Sequence, residues 1–262
     1  LLGFIFRVRH LAPIFRDAIC LLPWLSDRSK QRLGTEDSDQ AAKCCCIESC
    51  YRAIHGGETM PGDEMGAWHA AFARQRYVIL ESVLTDPILT VAYQYLMKRV
   101  LLGRETMGDG AEAGARSFYA DPLMETLLEL VQSVATAFSG LDLWPTFSWA
   151  RFYPRGASFG PRVGRPACEV TLSLPLGYRA AKIWPLHVGT PEGVQTALLA
   201  RGDAILLRGC ECPQWRGELA GDYHCQASFH FVDRRGPHAE WRFDKRPALG
   251  RPALGATGEF PP

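Results

Sequence analysis

The chain has 262 residues, 47% of them hydrophobic and 22% charged, with a formal net charge of +1. That length suits one sizeable domain, or one domain with an extension, and the composition is that of an ordinary globular protein. Near-neutral charge, with no basic stripe interleaved with aromatics, gives no electrostatic reason to expect nucleic acid or an anionic membrane as partner.

The first stretch, Leu1 to Leu25, is apolar but broken by Arg7, Arg9, His10, Arg16 and Asp17. A membrane-spanning helix needs about 20 largely uncharged residues, so no transmembrane segment is expected here. There is also no clean apolar run ending in a small-residue cleavage site, which argues against a signal peptide. The chain opens on Leu1 rather than Met, as a fragment or a trimmed product would. A short helix is expected near Ile14–Leu22, followed by a polar stretch from Ser26 to Gln40. Cys44, Cys45, Cys46 and Cys50 come next; zinc binding there lacks a second ligand pair at a suitable distance, and a loop with spare thiols is the simpler expectation. Nine irregularly spaced cysteines in all do not make a secreted disulfide framework, so free thiols in a reducing cytoplasm are expected.

Helical periodicity follows over Asp63–Gln75 and Pro87–Leu102, and most clearly over Pro122–Phe138. There Asp121 suits the N-cap, Pro122 the first helical position, and Gly140 the C-terminal stop. Met124, Leu127, Leu128, Val131, Val134, Ala135 and Phe138 form its apolar stripe. Gly103 to Gly114 is a glycine-rich, charged loop.

From Trp144 the period becomes two. Strands are expected over Thr146–Tyr153, Cys168–Leu176, Lys182–Val188, Val194–Leu199, Ala204–Arg208, His224–Val232 and Ala239–Phe243. In the second of these, Val170, Leu172, Leu174 and Leu176 alternate with Glu169, Thr171 and Ser173, which predicts one buried face. Helices followed by short strands and tight turns predict an α+β, mainly β fold: a jelly roll or sandwich backed by N-terminal helices. Past Asp244 the sequence Arg-Pro-Ala-Leu-Gly occurs twice in succession, which predicts a disordered tail. The expected division is an N-terminal extension over 1–60, a jelly-roll domain with its supporting helices over 61–245, and a Pro/Gly-rich tail over 246–262.

One catalytic pattern is set aside. Gly156-Ala157-Ser158-Phe159-Gly160 has the Gly-x-Ser-x-Gly spacing of hydrolases, but that motif needs a following helix, and strand-like sequence follows instead.

The ordered set Pro145–Tyr153, Gly156, Arg165–Leu174, Trp184-Pro185-Leu186, Gly202-Asp203-Ala204, Arg208–Glu211, Trp215-Arg216 and Gln226–Val232 resembles the 2-oxoglutarate/Fe(II) oxygenases, in a bacterial branch related to prolyl hydroxylases and phytanoyl-type enzymes. The resemblance covers roughly residues 75 to 245 and implies a double-stranded β-helix. It also implies iron held by a His-x-Asp pair and a distal His, which leave three coordination positions open for 2-oxoglutarate and oxygen. In this chain those ligand positions read Arg162, Gly164 and Gln214. A guanidinium has no lone pair to give and repels a divalent cation, glycine offers no side chain, and a single neutral amide is no facial triad.

The expectation is therefore an oxygenase-like protein with no metal site, either a pseudoenzyme or a metal-independent pocket for a small anion. Alternatives are an active dioxygenase of a small molecule or prolyl-like substrate with a non-standard metal site, or a non-catalytic interaction module. Fe(II) and 2-oxoglutarate are expected as cofactors only in the first alternative, with His187, His224 and His230 as the rescue ligands. His224 lies where the resemblance implies a basic residue for 2-oxoglutarate, and it shares strand parity with His230. Arg151, His224 and His230 are the candidate cofactor contacts; Arg162, Trp149, Gln214 and Trp215 are the candidate substrate contacts. For a metal-free reaction, Tyr153, Glu169 and His224 are the candidate proton carriers.

Overall fold

The computed structural model describes residues 7–8, 62–103 and 114–250. The helix expected near Ile14–Leu22 and the Cys44–Cys50 cluster lie outside these residues.

Three helices precede most of the strands: α1 (Gly62–Gln75), α2 (Asp86–Leu102) and α3 (Pro122–Ser139). The ends of α3 follow from its sequence. The Asp121 carboxylate accepts from the Leu123 and Met124 amides, and Gly140 takes the left-handed conformation, φ 71°, that closes the helix. The strands are β1 (Arg7–Val8), β2 (Tyr77–Leu80), β3 (Arg116–Tyr119), β4 (Leu143–Pro154), β5 (Phe159–Arg162), β6 (Val170–Arg179), β7 (Leu186–Thr190), β8 (Gly193–Ala197), β9 (Ala204–Arg208), β10 (Gln214–Arg216) and β11 (Tyr223–Asp233). They form a larger sheet in the order β1-β2-β9-β6-β11-β4-β3 and a smaller one in the order β5-β10-β7-β8. This is the helix-backed jelly roll that the change of period predicts.

The period of two divides the core. On β6, Val170, Leu172, Leu174 and Leu176 pack outward against Leu89, Leu96, Met124, Leu128 and Val131 of α2 and α3, together with Ala227, Phe229 and Phe231 of β11. The alternate residues face the smaller sheet. At one end they form an apolar cluster of Tyr77, Ile79, Ile205 and Leu207 with Leu186, Val188 and Ala197. At the other end the inward residues are polar: Thr171 and Ser173 on β6, and Gln226, Ser228 and His230 on β11, all buried. The strand expected to have one buried face is buried on both.

Three other expectations change. Ala239–Phe243 is not a strand: Ala239–Lys245 makes irregular 3-10 turns, with Phe243, Asp244 and Lys245 all at positive φ. The Trp241 and Phe243 alternation imitated a strand. Lys182–Val188 becomes strand only from Leu186. Within the expected tail, residues 245–250 are packed rather than loose: Arg246 is buried, donating to the Glu125 carboxylate and to the Thr146 carbonyl, and the Gly250 amide also donates to Glu125. Finally, Gly156 lies in a turn and Phe159 starts a strand, so the Gly-x-Ser-x-Gly spacing has no helix behind it.

Candidate functional site

The polar inner faces of β4, β11 and β6 line up as rungs. Phe147 stands beside His230 and His230 beside Thr171; Trp149 beside Ser228 and Ser228 beside Ser173; Arg151 beside Gln226. The Ser173 and Ser228 hydroxyls are 2.7 Å apart, and His230 Nδ1 is 3.0 Å from Thr171 Oγ1. The smaller sheet closes the opposite wall with Arg162 of β5 and Gln214 of β10, which are direct antiparallel partners. Between the walls lies a cavity of about 270 Å³. The lining also includes Tyr153, Phe159, Gly164, Arg165 and Cys168.

Among the described residues no aspartate or glutamate lines this cavity, whereas Arg151, Arg162 and Arg165 do. Each guanidinium lies over an aromatic ring: Arg151 over Trp149 at 4.7 Å, Arg162 over Phe159 at 4.7 Å, and Arg165 over Phe147 at 4.4 Å. Stacking fixes the plane of a guanidinium and so the direction in which its N–H groups point. Arg165 is partly neutralised, because the turn at Phe243–Lys245 presents the Asp244 carboxylate to both of its terminal nitrogens. The Tyr119 hydroxyl donates to the same carboxylate.

Most of the expected site residues meet here: Trp149, Arg151, Tyr153, Arg162, Gly164, Gln214 and His230 all line the cavity. Others are elsewhere. Glu169 accepts from the Asp233 amide at 2.9 Å and faces Arg208 at 3.7 Å, so it holds strand ends together. Trp215 stacks on its cross-strand partner His187, ring centres 5.6 Å apart, and His187 is also hydrogen-bonded to Thr196. His224 faces inward, like His230, but lies among the rings of Tyr153, Tyr178 and Trp184 rather than on the cavity. Burial, reinforced by Arg216, holds its pKa well below the ordinary histidine value. His230 is shifted the same way, by burial first and then by Arg151 and Arg165.

Several functional-looking residues escaped the sequence. Thr171 and Ser173 read as the unburied face of their strand, and Gln226 and Ser228 were given no role, although polar residues at period two on two adjacent central strands could have signalled a polar interior. Arg216 reads as part of a short motif, yet it is 3% exposed, lies 4.7 Å over the Trp184 ring, and donates to the Trp184 carbonyl and to Gln226. Burial draws its pKa down to about 10.

The fold is a double-stranded β-helix, the jelly roll seen in solved 2-oxoglutarate-dependent enzymes. Among solved structures, a Pseudomonas putida prolyl-4-hydroxylase superposes with a TM-score of 0.54 at 17% identity, over 66% of this chain and 100% of that one. The epimerase SnoN from nogalamycin biosynthesis, solved with Fe3+, alpha ketoglutarate and nogalamycin RO, gives 0.56 at 14% identity, over 74% and 94%. The carbocyclase SnoK of the same biosynthesis gives 0.53 at 14% identity, over 75% and 94%. No protein-family model and no curated protein sequence matches the chain.

Iron does not fit the residues present. Arg162 and Gln214, the positions that the sequence resemblance assigns to two of the ligands, are direct partners, but one is a cation and the other a neutral amide. At the remaining position a Cβ on Gly164 would come within 2.6 Å of Cys168 Cβ and 3.1 Å of the Gly209 carbonyl. A carboxylate there has no room for its first carbon. Among the described residues no group of three His, Cys, Asp or Glu is placed to hold a metal, and no helix is long and apolar enough to cross a membrane.

Proposed function

We propose that this protein uses the oxygenase fold as a metal-independent pocket for a small organic anion. The observation that carries this is the lining itself: three guanidiniums on aromatic rings, Arg165 of them paired with Asp244, and no carboxylate among the described lining residues, at positions to which the sequence resemblance assigns the iron ligands. In a low-dielectric cavity an anion is held by charge-assisted, bidentate hydrogen bonds from arginine. Arg151 and Arg162 come from opposite sheets and both line the cavity, so both are candidates to contact the acid. The Ser173, Ser228 and Gln226 side chains supply neutral partners on the floor.

A family of small acids, phosphate included, tests the proposal by thermal shift and calorimetry. Binding of N and not U raises the unfolding temperature with ligand concentration. The proposal requires stabilisation of the wild type by at least one acid, weakened about tenfold or more in Arg162→Ala and in Arg151→Ala. Stabilisation that survives both substitutions places the anion elsewhere and overturns it.

A further inference from the structure

We infer that the acid held in this pocket is a flat, ring-bearing one that carries a hydroxyl group, and that His230 selects it by accepting that hydroxyl's proton in a hydrogen bond. The inference rests on the anion-pocket proposal and names its ligand class.

The walls argue for a ring. Phe147, Trp149, Tyr153 and Phe159 all face the cavity. Their arrangement is rigid: the Tyr153 and Phe159 rings stack at 6.3 Å, and Phe147 stacks on His230 at 4.4 Å. Offset or edge contacts of aromatic pairs favour a planar ligand over an aliphatic one. The volume of about 270 Å³ falls just under the roughly 300–1,000 Å³ of pockets for drug-sized ligands. One substituted ring suits it.

His230 argues for the hydroxyl. Its side chain is more than nine-tenths buried, and its Nε2 has no hydrogen-bond partner among the described residues although the ring lines the cavity. Thr171 Oγ1 lies 3.3 Å from the Cys168 carbonyl, an atom that can only accept, and 3.0 Å from His230 Nδ1. With the hydroxyl proton given to that carbonyl, Oγ1 receives Nδ1–H of His230; this is the tautomer the inference takes, and in it Nε2 is a bare acceptor. Burial and the neighbouring Arg151 and Arg165 keep the imidazole neutral, which preserves the lone pair. A buried acceptor with no donor is costly, and a ligand that brings the donor recovers that cost. A carboxylate cannot serve, since it only accepts. The ligand therefore needs an O–H in addition to the acid group that the arginines take.

Calorimetry on the full chain with benzoate, the three hydroxybenzoate isomers, cyclohexanecarboxylate and inorganic phosphate tests this. At least one hydroxybenzoate should bind about tenfold tighter than benzoate, the worth of one hydrogen bond to a buried acceptor. In His230→Phe, which keeps the stack on Phe147, that preference should vanish while benzoate binding persists. Should His230→Phe fail to fold, 15N-imidazole spectra of the wild type give the same answer: the His230 Nε2 resonance should shift with the hydroxybenzoate and not with benzoate. Equal affinities for benzoate and all three isomers, or an unmoved Nε2 resonance, overturn the inference. Phosphate binding that depends on Arg162, with no binding of any ring acid, overturns it too and leaves the anion pocket standing. Failure of every acid to bind removes both.

Discussion

Arg162 and Gln214 are direct partners across the antiparallel pair β5/β10, so two positions 52 residues apart in sequence face one another on one cavity wall. Beside them Gly164 hydrogen-bonds through its amide to the Gly209 carbonyl at 2.7 Å, against the Cys168 side chain. These two neighbours leave no space for a Cβ at Gly164. Gly164→Ala should therefore cost about 1–3 kcal/mol, the usual penalty of overpacking. Pairing it with Cys168→Gly should recover part of that loss in a double-mutant cycle read by urea unfolding. Simple additivity would show that Cys168 is not what fills the space.

The C-terminal segment is fastened by charge. Arg246 and Glu125 are each 2% exposed at their side chains and pair directly, with Thr146 O as a further acceptor at 3.0 Å. Removing one member of a buried pair strands the other, so Arg246→Ala should lose about 3–5 kcal/mol, whereas Glu125→Leu with Arg246→Met should lose much less. Equilibrium unfolding of the three proteins decides it, and equal losses would show that apolar packing cannot replace the pair.

The two inward histidines give the protein an acid limit. Both His224 and His230 have pKa values held well below the ordinary 6.5, so between the folded and unfolded values the unfolded chain binds more protons. Stability is thus full above about pH 6.5 and falls as pH drops below it, with a limiting slope of about 1.4 kcal/mol per pH unit for each excluded proton. Unfolding temperatures of wild type and His230→Phe between pH 8 and pH 5 should converge toward acid. Parallel curves would contradict this.

The described thiols should be inert while the fold is intact. Burial pushes Cys168 and Cys225 up to about 12, and Cys210 and Cys212 up to about 11. Only the thiolate alkylates readily. Peptide mapping after iodoacetamide at neutral pH should find these four unmodified in native protein and labelled in denaturant; rapid native labelling of Cys168 would mean that the cavity wall opens.

How much of this was legible in the sequence depended on the length of the pattern. α3 could be placed by its cap, stripe and stop, and β9 by an apolar run between turns. Short strands were invisible: β10 has three residues, and β5 contains Gly160 and Pro161, which look like loop. Their pairing is set by tertiary context, not propensity. Arg162, Gly164 and Gln214, singled out by the family order, do line the cavity. Glu169 was misplaced because it follows a 3-10 turn at φ −52°, ψ −46°, outside the alternation of β6. The polar floor was missed because a buried polar face and a solvated one have the same period.

The most direct test is an anaerobic titration of the purified protein with Fe(II) and 2-oxoglutarate, followed by visible absorption. A pocket built from Arg162, Gly164 and Gln214 should give no metal-to-ligand charge-transfer band at any ratio, while small acids still raise the unfolding temperature through Arg162. A saturable band that needs both iron and 2-oxoglutarate would show a working metal site and contradict the metal-independent pocket.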